Sequence, residues 1–236
     1  TSKDFIAYVI NDGSPANEFE IANEYASKYD FIKSIKKENG GYGSVLNMAF
    51  SIIETPYVLV CDPDDYLVEN AVEKLLGLIQ SNDADMVCGA KNLIYSDNQE
   101  VIYDVSYNKK MVTLESEICY ERGKDGFETL YFIDPSPHAK VYRTDHVRRI
   151  VFPEKVSFTD NLLFIMSLNQ AEKVIYTKEA LAYYLIDRAG NSSTDVKPHV
   201  IDYWLRVQKE ILIQSEAINS KHEIFYYRMF ETFKFV

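Results

Sequence analysis

Apolar positions along the chain keep two periods, and the period switches from one stretch to the next. Residues 5–10 form a short apolar run rich in β-forming side chains, closed by the turn cluster Asn11-Asp12-Gly13-Ser14, which predicts a strand. Pro15 predicts a helix start with Ser14 as its cap. Phe19, Ala22, Ala26 and Tyr29 then share one helical face. Residues 31–36 alternate apolar and polar, as a strand does. A glycine-rich loop over residues 38–44 follows, and Val45, Met48, Ala49 and Ile52 carry a second helix. Residues 57–61 are continuously apolar, which predicts a strand buried on both faces. That run ends at Asp62-Pro63-Asp64-Asp65. A helix over residues 69–80 turns Val72, Leu75, Leu76 and Ile79 inward, and residues 86–90 form another strand.

Strands alternating with helices predict an α/β sheet, mostly parallel and flanked by helices. Beyond residue 90 the period is lost. Residues 91–114 suggest strands and turns, residues 126–131 a short helix, and residues 138–142 a short strand. Helix returns over residues 160–170, then strands over 173–176 and 180–186. From Pro198 the chain is helical, with Val200, Trp204, Val207 and Ile211 on one stripe. The final stretch crowds Phe225, Tyr226, Met229, Phe230, Phe233 and Phe235, which suggests either packing on the preceding domain or contact with a membrane surface.

Composition narrows the classes. With 236 residues, 47% hydrophobic and 26% charged, the chain has the mix of a globular protein able to bury a core. A net charge of −11 opposes binding to a nucleic-acid backbone. It does not oppose an anionic ligand bridged by a cation. No apolar run reaches the ~20 residues of a spanning helix. Cys61, Cys88 and Cys119 make neither a metal motif nor a disulfide framework, which suggests a reducing, cytoplasmic setting.

The carboxylates mark the candidate chemistry, because open α/β sheets bind ligands at the carboxyl ends of their strands. Asp12 follows the first strand, and Asp62, Asp64 and Asp65 follow the third. Three carboxylates within four residues repel one another unless something positive comes between them. Such oxygen donors suit Mg2+ or Mn2+; the alternative is a solvated acidic turn or a helix cap. A receiver domain needs a lone phosphoacceptor and a later lysine, which are not at suitable places. A nucleotidyltransferase needs a basic glycine-rich signature near the start, which is not visible.

Five motifs in order carry a resemblance. They are Val9-Ile10-Asn11-Asp12-Gly13-Ser14, the loop from Glu38 to Asn47, Cys61-Asp62-Pro63-Asp64-Asp65-Tyr66-Leu67, Ser157-Phe158-Thr159-Asp160-Asn161, and the stretch from Tyr183 through Arg188 to Ser193. Together they resemble the family 2 glycosyltransferases of the GT-A fold, bacterial cell-surface type, over roughly residues 3–195.

The resemblance implies an inverting, metal-dependent transferase that moves a sugar from a nucleotide-sugar, most often a UDP-sugar, to a carbohydrate or lipid-linked acceptor. Asp12 would meet the nucleotide base and Asp62 the ribose. Asp64 would hold Mn2+ or Mg2+ at the diphosphate, and Asp65 would orient that shell. Asp160 would be the general base and Arg188 a phosphate partner. Each has a structural alternative: a turn residue for Asp12, a helix N-terminal carboxylate for Asp160, a solvated loop charge for Arg188. Thr159 stands where the family usually has Glu, and Leu46 where it frequently has Arg. His138 stays outside the catalytic set.

The expected organisation is a transferase domain over residues 1–195, with a nucleotide-sugar half (1–90) and an acceptor half (91–195). A helical extension spans residues 196–236. The setting would be cytoplasmic, with peripheral contact at the inner face of the cell membrane as one option. A non-catalytic sugar-nucleotide-binding module is the alternative function. The family's fold also opens with a strand–helix unit that is not visible ahead of residue 5. The sequence therefore suggests about 30 further residues upstream, and strands 5–10 and 57–61 that do not pair with each other.

Overall fold

The structure is a computed structural model that describes residues 4–95, 100–186, 200–218 and 223–233. The chain runs β1 (Ala7–Asn11), α1 (Glu18–Lys28), β2 (Ile32–Lys36), α2 (Tyr42–Ile52), β3 (Tyr57–Leu59), β4 (Tyr66–Leu67), α3 (Ala71–Asn82) and β5 (Met86–Ile94). It continues with β6 (Val101–Asp104), β7 (Cys119–Glu121), a 3-10 helix over Phe127–Phe132, β8 (Lys140–Arg143), α4 (Thr144–Val147), α5 (Thr159–Gln170) and β9 (Lys173–Leu185). Two helices follow, α6 (Val200–Ser215) and α7 (Glu223–Phe233).

The α/β class holds, but the sheet is mixed rather than mostly parallel. Parallel pairing joins β1 to β2, a two-stranded sheet of their own among the described residues, and β5 to β9 within the seven-stranded sheet. The other pairings, β3–β8, β4–β9, β5–β6, β5–β8 and β7–β9, are antiparallel. The reason lies beyond residue 90, where short strands fold back on β5 and β9 without crossover helices. β5 is the spine. Its first half pairs with β8 and its second half with β6, while β9 runs parallel along its other edge. Met86 to Lys91 are all buried, as a central strand covered on both faces requires.

β9 is one strand where the sequence pattern suggests two. Opposite Gly89 and Ala90 the register slips, because Thr177 and Ala180 face consecutive residues of β5. That bulge breaks the alternation at residues 177–179. The Thr177 hydroxyl caps it by accepting the Glu179 N–H at 3.2 Å.

Three other expectations need correction. β3 is not buried on both faces: it pairs only with β8 among the described residues, and its side chains are half-buried. Ser14 does not cap α1. Its N–H donates to Asn11 Oδ1 at 3.2 Å, so Ser14 belongs to the turn and the helix begins at Glu18. Tyr29, placed on the inner face, lies outside α1 and is exposed. β1 and β3 do not pair with each other among the described residues.

The core lies on both sides of the sheet. On one side α3 supplies Leu75 and Ile79 against Val87, Val141 and Ile175. On the other, α5 is buried almost all round, packed among Leu46 and Phe50 of α2, Met86, Tyr142 and Val174. Val207 and Ile211 of α6 and Phe225 and Met229 of α7 join that same core. The packing alternative for the C-terminal stretch therefore holds for Phe225 and Met229, whereas Tyr226 and Phe230 are exposed. Phe235 lies outside the described residues. No helix among the described residues is long and apolar enough to cross a membrane.

The start of α2 is sewn to the loop ahead of α5. Asn47 Nδ2 donates to Phe152 O and Phe152 N donates to Asn47 Oδ1, each at 2.9 Å. Lys155 N donates to Gly40 O at 2.8 Å. Gly43 lies under this seam, where a Cβ would stand 2.2 Å from the Pro153 carbonyl oxygen. Gly43→Ala is expected to destabilise the fold by about 2 kcal/mol, a fall in Tm of roughly 4–8 °C for a chain this size. Thermal unfolding checks it; an unchanged Tm would show that the loop yields freely.

Candidate active site

The turn after β1 is built by its own side chains. Asn11 Oδ1 accepts the N–H groups of Gly13 and Ser14, which closes the turn and turns Asp12 toward the glycine-rich loop. Asp12 Oδ1 accepts Lys37 Nζ at 2.6 Å and Gly40 N at 3.0 Å, and Oδ2 accepts Gly41 N at 2.7 Å. Burial pushes this carboxyl up, but Lys37 and the two glycine N–H groups outweigh it and hold it below its ordinary value. Lys37 is fully engaged, since its ammonium also reaches Glu38 O and Ser44 Oγ. A carboxylate has about four acceptor positions. Three donors on Asp12 leave one for a ligand.

The acidic turn after β3 lies across the loop. The Tyr42 hydroxyl at the start of α2 donates to Asp62 Oδ1 at 2.9 Å. Burial raises the Asp62 carboxyl, Tyr42 and His138 oppose it, and Asp65 and Asp64 add to the rise. Asp65 is deeper. Its Oδ2 lies 2.7 Å from His138 Nε2, and its Oδ1 accepts the Leu185 N–H at 2.9 Å. The side chains of His138 and Asp65 are only 6% and 3% exposed. Asp62, Asp65 and His138 each place one donor atom within 4.8 Å of the others, a grouping able to hold a metal ion. Asp64 is partly buried in the same turn and is not one of the three.

Asp160 stands in the first turn of α5, half-buried, with its Oδ1 3.4 Å from Asn161 Nδ2. Burial, then the nearby Asp134 and Asp62 carboxylates, push its carboxyl up to about 7. Asp62 and Asp160 together, after burial, push the Tyr42 hydroxyl well above its ordinary value. The structure thus brings Asp62 and Asp160 within electrostatic reach of each other around Tyr42. Arg188 lies outside the described residues.

His138 is the residue that sequence reasoning set aside. Nothing in its spacing ties it to Asp65, which is 73 positions away. Only the antiparallel placement of β8 beside both β3 and β5 brings the two together.

The sequence profile of glycosyl transferase family 2 matches residues 1–151. The chain belongs to this family. An uncharacterized glycosyltransferase of Mycoplasma genitalium is 26% identical over 215 residues, covering 89% of this chain and 67% of that protein. A cholesterol galactosyltransferase of Borreliella burgdorferi is 32% identical over 133 residues, 56% of this chain and 35% of that protein. Among solved structures, S. aureus TarS 1-349 in complex with UDP-GlcNAc superposes with a TM-score of 0.72 at 22% identity, covering 97% of this chain and 62% of that one. The chain therefore spans about two thirds or less of each of these three proteins. The fold is the GT-A fold.

The raised carboxyl of Asp160 has a consequence for stability. Between its ordinary value of 3.8 and about 7, the native state holds a proton that the unfolded chain has lost. Stability from this group is full below the ordinary value and falls as pH rises through about 7. Urea unfolding across that range should show the stability of the natural protein falling relative to Asp160→Asn. Parallel curves for the two would remove the shift.

Proposed function

We propose that the chain transfers a sugar from a UDP-sugar to a hydroxyl of a carbohydrate or lipid-linked acceptor, with inversion at the anomeric carbon. The setting is cytoplasmic synthesis of bacterial cell-surface polysaccharide. The observation that carries the reading is the convergence of the acidic turn with Asp160, a carboxyl tuned to about 7 beside it. Family membership and the UDP-GlcNAc bound by the similarly folded TarS support the donor class. Exposed Ile201, Leu205, Tyr226 and Phe230 on α6 and α7 are compatible with peripheral membrane contact.

Asp12 offers its remaining acceptor position to the N–H of the base, and Asp62 receives the ribose hydroxyls. Asp160 takes the proton of the acceptor hydroxyl. The acceptor oxygen then bonds to the anomeric carbon on the face opposite the diphosphate, and the bond from that carbon to the diphosphate oxygen breaks. UDP leaves with the bonding electron pair. Arg188 is assigned to a phosphate oxygen. Mn2+ or Mg2+ when bound would neutralise charge on the leaving diphosphate. The donor chemistry fits, since two carboxylates and an imidazole suit Mn2+ in particular. Asp64 is assigned to hold the ion at the diphosphate, with Asp62, Asp65 and His138 beside it.

Asp160→Asn is expected to lower kcat by about 100-fold or more while UDP-sugar affinity survives. In the natural protein kcat/KM should rise with pH and level off above about 7 as Asp160 loses its proton. Equal loss of donor affinity would place Asp160 in the nucleotide site instead. A natural protein that binds UDP-sugars without turnover would be a sugar-nucleotide-binding module.

The metal assignment has its own test in calorimetry of UDP with Mn2+. Asp64→Asn should weaken binding strongly and His138→Gln by about tenfold. Unchanged affinity in the first removes Asp64 as the anchor. Unchanged affinity in the second leaves His138 as a structural partner of Asp65.

A further inference from the structure

A second charged cluster stands beside Asp160 and has no part in the steps above. Lys91 of β5 is 2% exposed and Lys140 of β8 is fully buried. Burying an ammonium is costly unless it is paired and hydrogen-bonded. Lys91 Nζ donates to Asp134 Oδ2 in a short hydrogen bond and to Ser136 Oγ at 2.9 Å, and it lies 5.7 Å from the centre of the Tyr184 ring. Lys140 Nζ donates to Ser136 O at 2.5 Å from beneath. Both lysines therefore brace the segment that carries Asp134 and Ser136.

Asp134 itself is only partly buried, with 37% of its side chain exposed. Its Oδ1 accepts the Ser136 N–H at 3.0 Å. One donor on each oxygen leaves about two of the four acceptor positions open. The Ser136 hydroxyl accepts from Lys91 and keeps its own proton to donate. The segment runs on to His138, which pairs with Asp65 of the acidic turn, and the Tyr184 ring beside Lys91 lies 4.4 Å from the His138 ring. After burial, Asp134 is the largest influence on Asp160, ahead of Asp62. From α7, Arg228 also lies within electrostatic reach of Asp134, and its Nε is buried without a hydrogen-bond partner among the described residues.

We propose that Asp134 and Ser136, braced by Lys91, recognise an adjacent pair of hydroxyls on a sugar or polyol at the reacting centre. A carboxylate with open acceptor positions beside a free hydroxyl donor matches a vicinal diol. The fixed ion pair behind it holds that geometry before the ligand arrives. The inference rests on the transferase reading above. The diol belongs either to the sugar being transferred or to the acceptor, and these two sources give different results.

The test uses the whole chain, Asp134→Asn and Ser136→Ala, with Mn2+. Ser136→Ala keeps the Lys91–Asp134 pair, so it reads the site even if Asp134→Asn folds poorly. Calorimetry compares UDP with UDP-glucose, UDP-galactose and UDP-GlcNAc. Transfer to ribitol and to methyl glucoside is followed by UDP release. If the donor sugar supplies the diol, the variants lose about tenfold of the affinity that a UDP-sugar has beyond UDP, a typical loss for a hydrogen bond to a charged group. UDP binding itself stays unchanged. If the acceptor supplies it, donor affinity is kept and the acceptor KM rises about tenfold. Variants within twofold of the natural protein in both arms overturn the inference alone. A natural protein that binds no UDP compound overturns the transferase reading beneath it.

Discussion

The carboxylate of Asp65 is where three distant parts of the chain meet. It belongs to the acidic turn after β3, it pairs with His138 ahead of β8, and it accepts the backbone N–H of Leu185 at the end of β9. Almost all of it is out of water. A buried carboxylate is tolerable only with its hydrogen bonds made. Asp65 therefore fixes the relative height of the turn, the β8 segment and β9. The placement of Asp62 and Asp64 in the same turn follows from it. So does that of Tyr184, whose ring lies 4.4 Å from the His138 ring.

Asp160 is fixed by a different route. α5 is buried on nearly every face and sinks into the core, and Asp160 stands in its first turn. The loop that feeds it is sewn to α2 by Asn47 and Gly40. The glycine-rich loop thus does two things at once. Its N–H groups hold Asp12 on one side, and its carbonyl at Gly40 holds Lys155 on the other. Asp12 and the segment leading to Asp160 are both held by one loop. That explains the need for residues without side chains here: Gly41 has φ +80 and lies against the Lys155 backbone.

Local pattern was enough for the elements whose neighbours are close in sequence. The first strand, the helix 71–82 with Leu75 and Ile79 inward, and α5 were legible from period alone. The strand signals failed where partners are remote. Whether a strand's neighbour runs parallel or antiparallel is set by topology, not by the strand's own residues. The bulge opposite Gly89 broke an alternation that would otherwise have read as one strand. For the site, carboxylates at strand ends were visible as a class. His138, Lys91 and Asp134 were not, because each is a single common residue whose partner is 43 or more positions away.

Charge in the cleft shows why an acidic chain needs buried lysines. Asp134 and Asp160 are neighbours, and two like charges close together cannot both ionise cheaply. Their surroundings separate them. Burial would raise both, but Lys91 and Lys140 reverse the effect at Asp134 and hold it well below the usual carboxylate range. Burial also pushes Lys140 down, against the pull of the Asp134 and Asp160 carboxylates. At Asp160, burial and the Asp134 and Asp62 carboxylates outweigh the hydrogen bonds from Asn161, so it rises to about 7. One carboxylate is thereby kept ionised, and the other is left to titrate at about 7. That division follows from Lys91 and Lys140 acting together on Asp134, with Lys91 hydrogen-bonded to it. A sheet with β5 and β8 side by side supplies it, because Lys91 and Lys140 project from adjacent strands toward the same segment.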